Sequence, residues 1–205
     1  MRARSRVAGV VLLALASTAA AAGPASVPEE LVRTTVDGAF AVLKDKSLAG
    51  RERRAQRIAS LRQVADRAFD WAEMARSSLG VKWRTLDGAQ RTRFVDVFKD
   101  VLASQYLDDI DRFRGTETVT VDGSTAQGEE IVVRTTLVTA GHDRVPIEYR
   151  MRQQNGHWLA VDLSIEGVSL VNHFRRTFSD ALANMTIAQL IERLQAQLPA
   201  GAPAR

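Results

Sequence analysis

His142, His157 and His173 are the only imidazoles in the chain, and it contains no cysteine. A thiol nucleophile, a disulfide, a zinc–thiolate site and an iron–sulfur cluster are excluded together. His142 and His157 fall beside hairpin signals and His173 at a helix start. None has a second ligand at i+4, and no HExxH, GxSxG or phosphate-cradling glycine loop occurs. Asp108, Asp109 and Asp111 crowd the end of a long helical pattern without the alternating spacing and glycine of an EF-hand loop, so they read as solvated acids. Asp66, Asp70, Glu73 and Arg76 have the spacing of helix ion pairs. Ser124 and Ser169 have no recognisable base. These residues give no constellation for catalysis, metal or cofactor, so the chain reads as a non-enzyme.

Apolar side chains carry more information. A long helix is expected from Thr85 or Asp87 to about Phe113, with Phe94, Phe98, Leu102 and Tyr106 on its apolar stripe. Tyr149 and Met151 lie on one face of an alternating strand, and Phe174 and Phe178 on one stripe of a later helix. Each is an ordinary core residue on its own. Together they would face one another between helices and sheet, where a curved sheet can hold the layers apart and enclose a cavity.

The surrounding elements follow from the periodicity. Helical spacing predicts helices over 29–43, up to Ala65, over 69–79 ending at Gly80, and over the long stretch just described. From Thr116 the period changes to 2. Strands are expected over 116–121, closed by Asp122-Gly123, and over 130–139, 144–153 and 157–165, with Asn155-Gly156 as the strongest hairpin signal. Helices return after Gly167, and Thr186 to Gln189 forms a capping box that opens the last one before Pro199. The expected fold is α+β: a four-stranded antiparallel sheet with helices covering one face and a hydrophobic cavity between the layers.

The chain has 205 residues, 45% hydrophobic and 25% charged, which suits one globular domain. Residues 1–22 read as a secretory signal peptide: MRARSR, an apolar run from Val7 to about Ala16, then small residues, with cleavage after Ala22. The run is shorter than the ~20 residues that span a bilayer. Residues 23–198 form the expected single domain and 199–205 a flexible tail. The formal net charge is +4, but Arg2, Arg4 and Arg6 belong to the leader. Without them 25 of the 28 basic residues face 24 acidic ones, a balance of +1. Such a balance offers no electrostatic footprint for nucleic acid. Arg51, Arg53, Arg54 and Arg57 form the one dense basic cluster, a solvated helix face or a docking patch.

Two blocks of sequence carry a family likeness. The first is Phe69-Asp70-Trp71, Met74-Ala75-Arg76, Leu79-Gly80, Trp83-Arg84, Gln90-Arg91, Arg93-Phe94 and Phe98. The second is Val145-Pro146-Ile147-Glu148-Tyr149-Arg150, Trp158, Val161-Asp162 and the run from Ile165 to Val171, IEGVSLV. In this order, behind a leader, they resemble the MlaC-like, or toluene-tolerance, periplasmic lipid-binding proteins from about Pro28 to Leu198. Departures are Leu86-Asp87-Gly88 in place of Thr-Pro-Glu, Val161 in place of Tyr, and Asn172-His173-Phe174-Arg175 in place of Asn-Tyr-Arg.

The resemblance implies a periplasmic, monomeric lipid carrier. Phospholipid is its ligand, and it has no cofactor. Its implied partners are an inner-membrane ABC transporter complex and an outer-membrane lipoprotein–porin complex, in the service of outer-membrane lipid asymmetry. The expected lipid-binding residues are Phe94, Phe98, Leu102, Tyr106, Tyr149, Met151, Val168, Leu170 and Phe174. Hopanoid carriage within the same family, a ligand-free envelope adaptor and a lipid-acting exported enzyme are the alternative readings.

Overall fold

The computed structural model describes residues 26–105 and 112–198. The expected leader, the expected tail after Leu198, Tyr106 and the acidic triplet at Asp108, Asp109 and Asp111 lie outside the described residues. Helix α1 spans Val27–Lys44 and starts from a reciprocal cap between Ser26 and Glu29. Helix α2 spans Arg54–Asp66 and α3 spans Trp71–Leu79. Asp70 caps α3 by accepting from Glu73 N at 2.9 Å. Gly80, at φ 57°, ends α3 in a conformation that a side chain disfavours.

Helix α4 spans Gly88–Gln105. Its start has no proline; instead Asp87 Oδ1 accepts from Gln90 N at 2.8 Å, and Gln90 Oε1 accepts from Asp87 N at 3.0 Å. The reciprocal pair satisfies two donors that a helix N-terminus leaves open.

Strands β1 (Thr118–Gln127), β2 (Glu130–Val138), β3 (Arg144–Gln154) and β4 (His157–Ile165) form an antiparallel meander. The sheet has five strands, not the expected four. After a turn at Glu166 (φ 51°) and Gly167 (φ 79°), β5 (Val168–Ser169) pairs back onto Ile165 and Ser164. Two consecutive positive φ values suit a two-residue hairpin turn. The Asp122-Gly123 signal is not a strand end. β1 runs through it with a bulge between Val121 and Gly123, and Asp122 accepts from Thr120 at 2.9 Å and Thr136 at 2.6 Å. Helices α5 (Leu170–Ala181) and α6 (Ile187–Ala196) follow, capped by Ser169 and Thr186.

Two apolar clusters result. One joins α1 to the sheet through Val32, Val133, Met151 and Ala160. The other lies among α3, α4, α5 and α6 and centres on Phe94, Phe98, Phe174 and Phe178. Phe69 packs against both. Its segment pairs with the edge of β4: Ala160 N donates to Ala68 O at 2.8 Å and Asp70 N to Ala160 O at 2.9 Å. That contact anchors α3 beside the sheet and covers part of an edge that would otherwise stay unpaired.

Candidate functional site

The aromatic stripe expected on the long helix builds a closed core. Phe94 and Phe98 are fully buried and Phe174 nearly so. Ring centroids stand 5.3 Å apart for Phe98–Phe174 and 5.6 Å for Phe94–Phe178, both edge to face. That is the preferred geometry for aromatic pairs. Tyr149 and Met151 belong to the other cluster, under the sheet. Burial pushes the Tyr149 hydroxyl up to about 12, against the opposing effect of the Thr135 hydroxyl, so it stays neutral across ordinary pH.

An apolar cleft of about 200 Å³ opens where the two clusters meet. Leu102 of α4 and Leu170 at the start of α5 line it, joined by Phe69, Met74 of α3 and Leu163 of β4. Its remaining wall is α2, through Ile58, Leu61 and Ala65. Helix α2 contains no buried residue, so among these walls it is the one least held by packing. Of the expected lipid-binding residues, the structure places Leu102 and Leu170 together in the cleft. Phe94, Phe98 and Phe174 stand behind Leu102 and Leu170 in the helical core. Val168, by contrast, is 52% exposed on β5.

Sequence reasoning missed the contribution of α2 and of Phe69, Trp71 and Met74. The signal was present: α2 has apolar residues at helical spacing and needed a partner surface. It also missed the charged rim, where Arg62, Asp66 and Lys99 border the cleft. Lys99 Nζ lies 2.6 Å from Asp66 Oδ1, and Arg62 Nη2 lies 2.8 Å from Asp100 Oδ1. Trp71 Nε1 donates to Asp66 Oδ1 at 2.8 Å.

The IEGVSLV run is held by a buried carboxylate. Asp162 is 3% exposed and accepts from Ser169 Oγ at 2.5 Å, Val171 N at 3.1 Å, Leu163 N at 2.8 Å and Arg150 Nη2 at 2.6 Å. These bonds tie β5 and the first turn of α5 to β4, which fixes where Leu170 points. Arg150 and Arg152 continue the network to Glu130, and Arg152 reaches Glu73 at 3.4 Å. Burial works to raise the Glu73 carboxyl. Hydrogen bonds from Arg76 and Ser77, with the charges of Arg76 and Arg152, outweigh it and hold the group below its ordinary range.

A second concavity, about 680 Å³, is lined by Arg76, Lys82, Arg84, Arg152 and Arg175, with Glu73 as its one acid. Val81 stands at its side, 76% exposed. The basic cluster singled out in the sequence is more occupied. Arg57 Nη1 donates to Leu48 O at 2.9 Å and Arg53 Nη1 to Gln56 Oε1 at 3.3 Å.

Among the described residues no group of three or more potential metal ligands occurs. His142 sits at a hairpin with φ 69°, and His173 packs edge to face on Phe174 at 5.5 Å. No described helix is long and apolar enough to cross a membrane.

No curated protein matches the chain. Among solved structures it is similar to a phospholipid-binding protein from Ralstonia solanacearum, determined in complex with a phospholipid. The two are 24% identical with a TM-score of 0.71, over 82% of this chain and 95% of that one, a likeness of fold. The sequence model of the MlaC protein family matches residues 33–196, which takes in the cleft, the Asp162 network, the four central rings of the helical cluster and the sheet-side cluster apart from its α1 residue Val32. The chain belongs to the MlaC family.

Proposed function

We propose that the chain is a non-enzymatic carrier of phospholipid that works in the periplasm after loss of a leader cut near Ala22. The observation that carries this reading is the apolar cleft at the junction of the two clusters, walled on one side by a helix with no buried residue. The phospholipid held by the Ralstonia solanacearum protein of the same fold supports it.

A diacyl lipid exposes roughly 30 methylenes, and at ~0.8 kcal/mol each that is on the order of 24 kcal/mol against crossing water bare. A carrier offsets this by enclosing the tails. The cleft of about 200 Å³ is smaller than the roughly 300–1,000 Å³ of sites that enclose drug-sized ligands. The closed form therefore widens to load, and α2 is the wall that moves. Leu102 and Leu170 meet the tails first. Tyr149 and Met151 line the widened space on the sheet side, Phe94, Phe98 and Phe174 on the helix side, with Val168 at its margin; Tyr106, outside the described residues, completes the proposed set. Apolar contacts are non-directional, so tail binding of this kind tolerates different acyl chains.

The carrier shuttles as a monomer between an inner-membrane ABC transporter complex and an outer-membrane lipoprotein–porin complex. It consumes no nucleotide and takes its direction from them. The concavity with five cationic side chains offers each an acidic-rim docking place, which supports fast, salt-sensitive encounter.

Lipid transfer between two vesicle populations, one carrying fluorescent phospholipid, tests the function. The carrier reading requires transfer in proportion to protein concentration. Transfer no faster than without protein refutes it.

A further inference from the structure

Among the described residues the charged groups lining the apolar cleft are Arg62, Lys99 and Asp66, and Asp100 pairs with Arg62 beside them. Arg62 and Lys99 are matched by Asp100 and Asp66, with N···O separations of 2.8 Å and 2.6 Å. All four side chains are partly exposed, at 23%, 26%, 21% and 42% respectively, so solvent and ligand reach them. Arg62 Nε is buried and has no hydrogen-bond partner among the described residues. A buried donor in that state favours an acceptor brought by a ligand. Trp71 holds Asp66 in place from the cleft side with its indole N–H and lies 5.7 Å below Lys99 Nζ.

We propose that this rim selects zwitterionic phospholipids with a primary ammonium over anionic phospholipids. The inference rests on the carrier reading and adds a specificity to it. The phosphodiester, which every phospholipid has, takes Lys99 and, once α2 moves aside, the unpartnered Nε of Arg62. That contact releases Asp66 from Lys99, and Asp66 is the most exposed of the four. An ammonium group on the same head satisfies Asp66, and the rim stays neutral. A head with a phosphate and only hydroxyl groups leaves Asp66 with a net negative charge beside it. Like charge at short range in a half-buried setting disfavours that complex. Exposed pairs of this kind are worth little each, so the expected preference is about two- to fivefold rather than absolute.

The test loads the full mature chain from vesicles of equimolar dioleoyl phosphatidylethanolamine and dioleoyl phosphatidylglycerol. The head-group ratio of the bound lipid is read by mass spectrometry. Because it is a ratio among bound molecules, it does not depend on how much lipid each variant holds. Wild type should favour phosphatidylethanolamine by about two- to fivefold. Asp66→Asn keeps an acceptor for Trp71, leaves Lys99 unmatched, and should move the ratio toward phosphatidylglycerol. Lys99→Gln leaves Asp66 unmatched and should move it the other way. Opposite shifts are not what a general loss of folding produces. A wild-type ratio equal to that of the vesicles, or ratios that do not change in the two variants, overturns the rim assignment while lipid binding stands. Wild type that takes up neither lipid overturns the carrier reading and this inference with it.

Discussion

If α2 must move to admit acyl chains, fastening it should block loading. Gly38 of α1 provides the place. A Cβ at that position would stand 3.4 Å and 3.6 Å from the two methyl groups of Val64 on α2. A cysteine sulfur at residue 64 occupies the position of one such methyl, within reach of a cysteine at residue 38 after a small adjustment of the two helices. The chain has no cysteine of its own, so Gly38→Cys/Val64→Cys forms one defined cross-link. Helix α1 is itself pinned to the sheet through Val32, 2% exposed, so the staple holds α2 to the sheet layer. The stapled cleft keeps its volume of about 200 Å³. At about 30 Å³ per water-sized group that is room for about seven methylenes. Seven methylenes contribute on the order of 5 kcal/mol, against on the order of 24 kcal/mol for all the tails. The oxidised variant should therefore take up almost no diacyl lipid from vesicles. It should also be more stable than its reduced form, by about 3 kcal/mol. Reductant should restore uptake in the same sample, which controls for the substitutions. Bound lipid phosphorus per protein is the assay. Oxidised protein that loads as well as reduced protein refutes the movement of α2.

Other expectations follow from the same geometry. Leu170→Trp fills the cleft and should cut lipid uptake, whereas Val168→Trp on exposed β5 should leave it nearly unchanged; vesicle loading compares the two. Phe98→Ala removes the centre of the ring cluster and should cost about 3–5 kcal/mol in chemical denaturation. Asp162→Ala leaves Arg150 only Glu130 and removes the acceptor of Leu163 N and Val171 N, and should cost about 3 kcal/mol. The Glu73 carboxyl is held below its ordinary value in the folded chain, so its contribution is present above the unfolded pKa and lost as pH falls through the folded one. Glu73→Gln should accordingly flatten the acid side of the melting temperature against pH, below about pH 4.5, the ordinary value of a Glu carboxyl.

The α+β order was legible because long elements repeat their pattern many times. The alternation of Val145, Ile147, Tyr149 and Met151 reappears as one face of β3. Short features were not legible. β5 has two residues, too few for a period of 2 to register, and only the turn glycine marked it. Asp122-Gly123 looked like a strand end because a bulge and a turn use the same residue types; pairing of Thr120 and Thr136 with Asp122 decides between them, and that is a tertiary fact. The site was half legible. Leu102 and Leu170 could be named from their stripes. That Phe94, Phe98 and Phe174 fill the space between their own helices depends on how closely α3, α4 and α5 approach, which no stripe encodes. The rim charges look like any solvated helix face until α2 and α4 are brought side by side.

The central claim is that the cleft holds phospholipid tails, and native mass spectrometry of the chain purified from the periplasm tests it most directly. The account predicts a population heavier than the protein by the mass of one or more diacyl phospholipids, which organic solvent releases. Protein that is lipid-free on purification, and remains so after incubation with phospholipid vesicles, would contradict it.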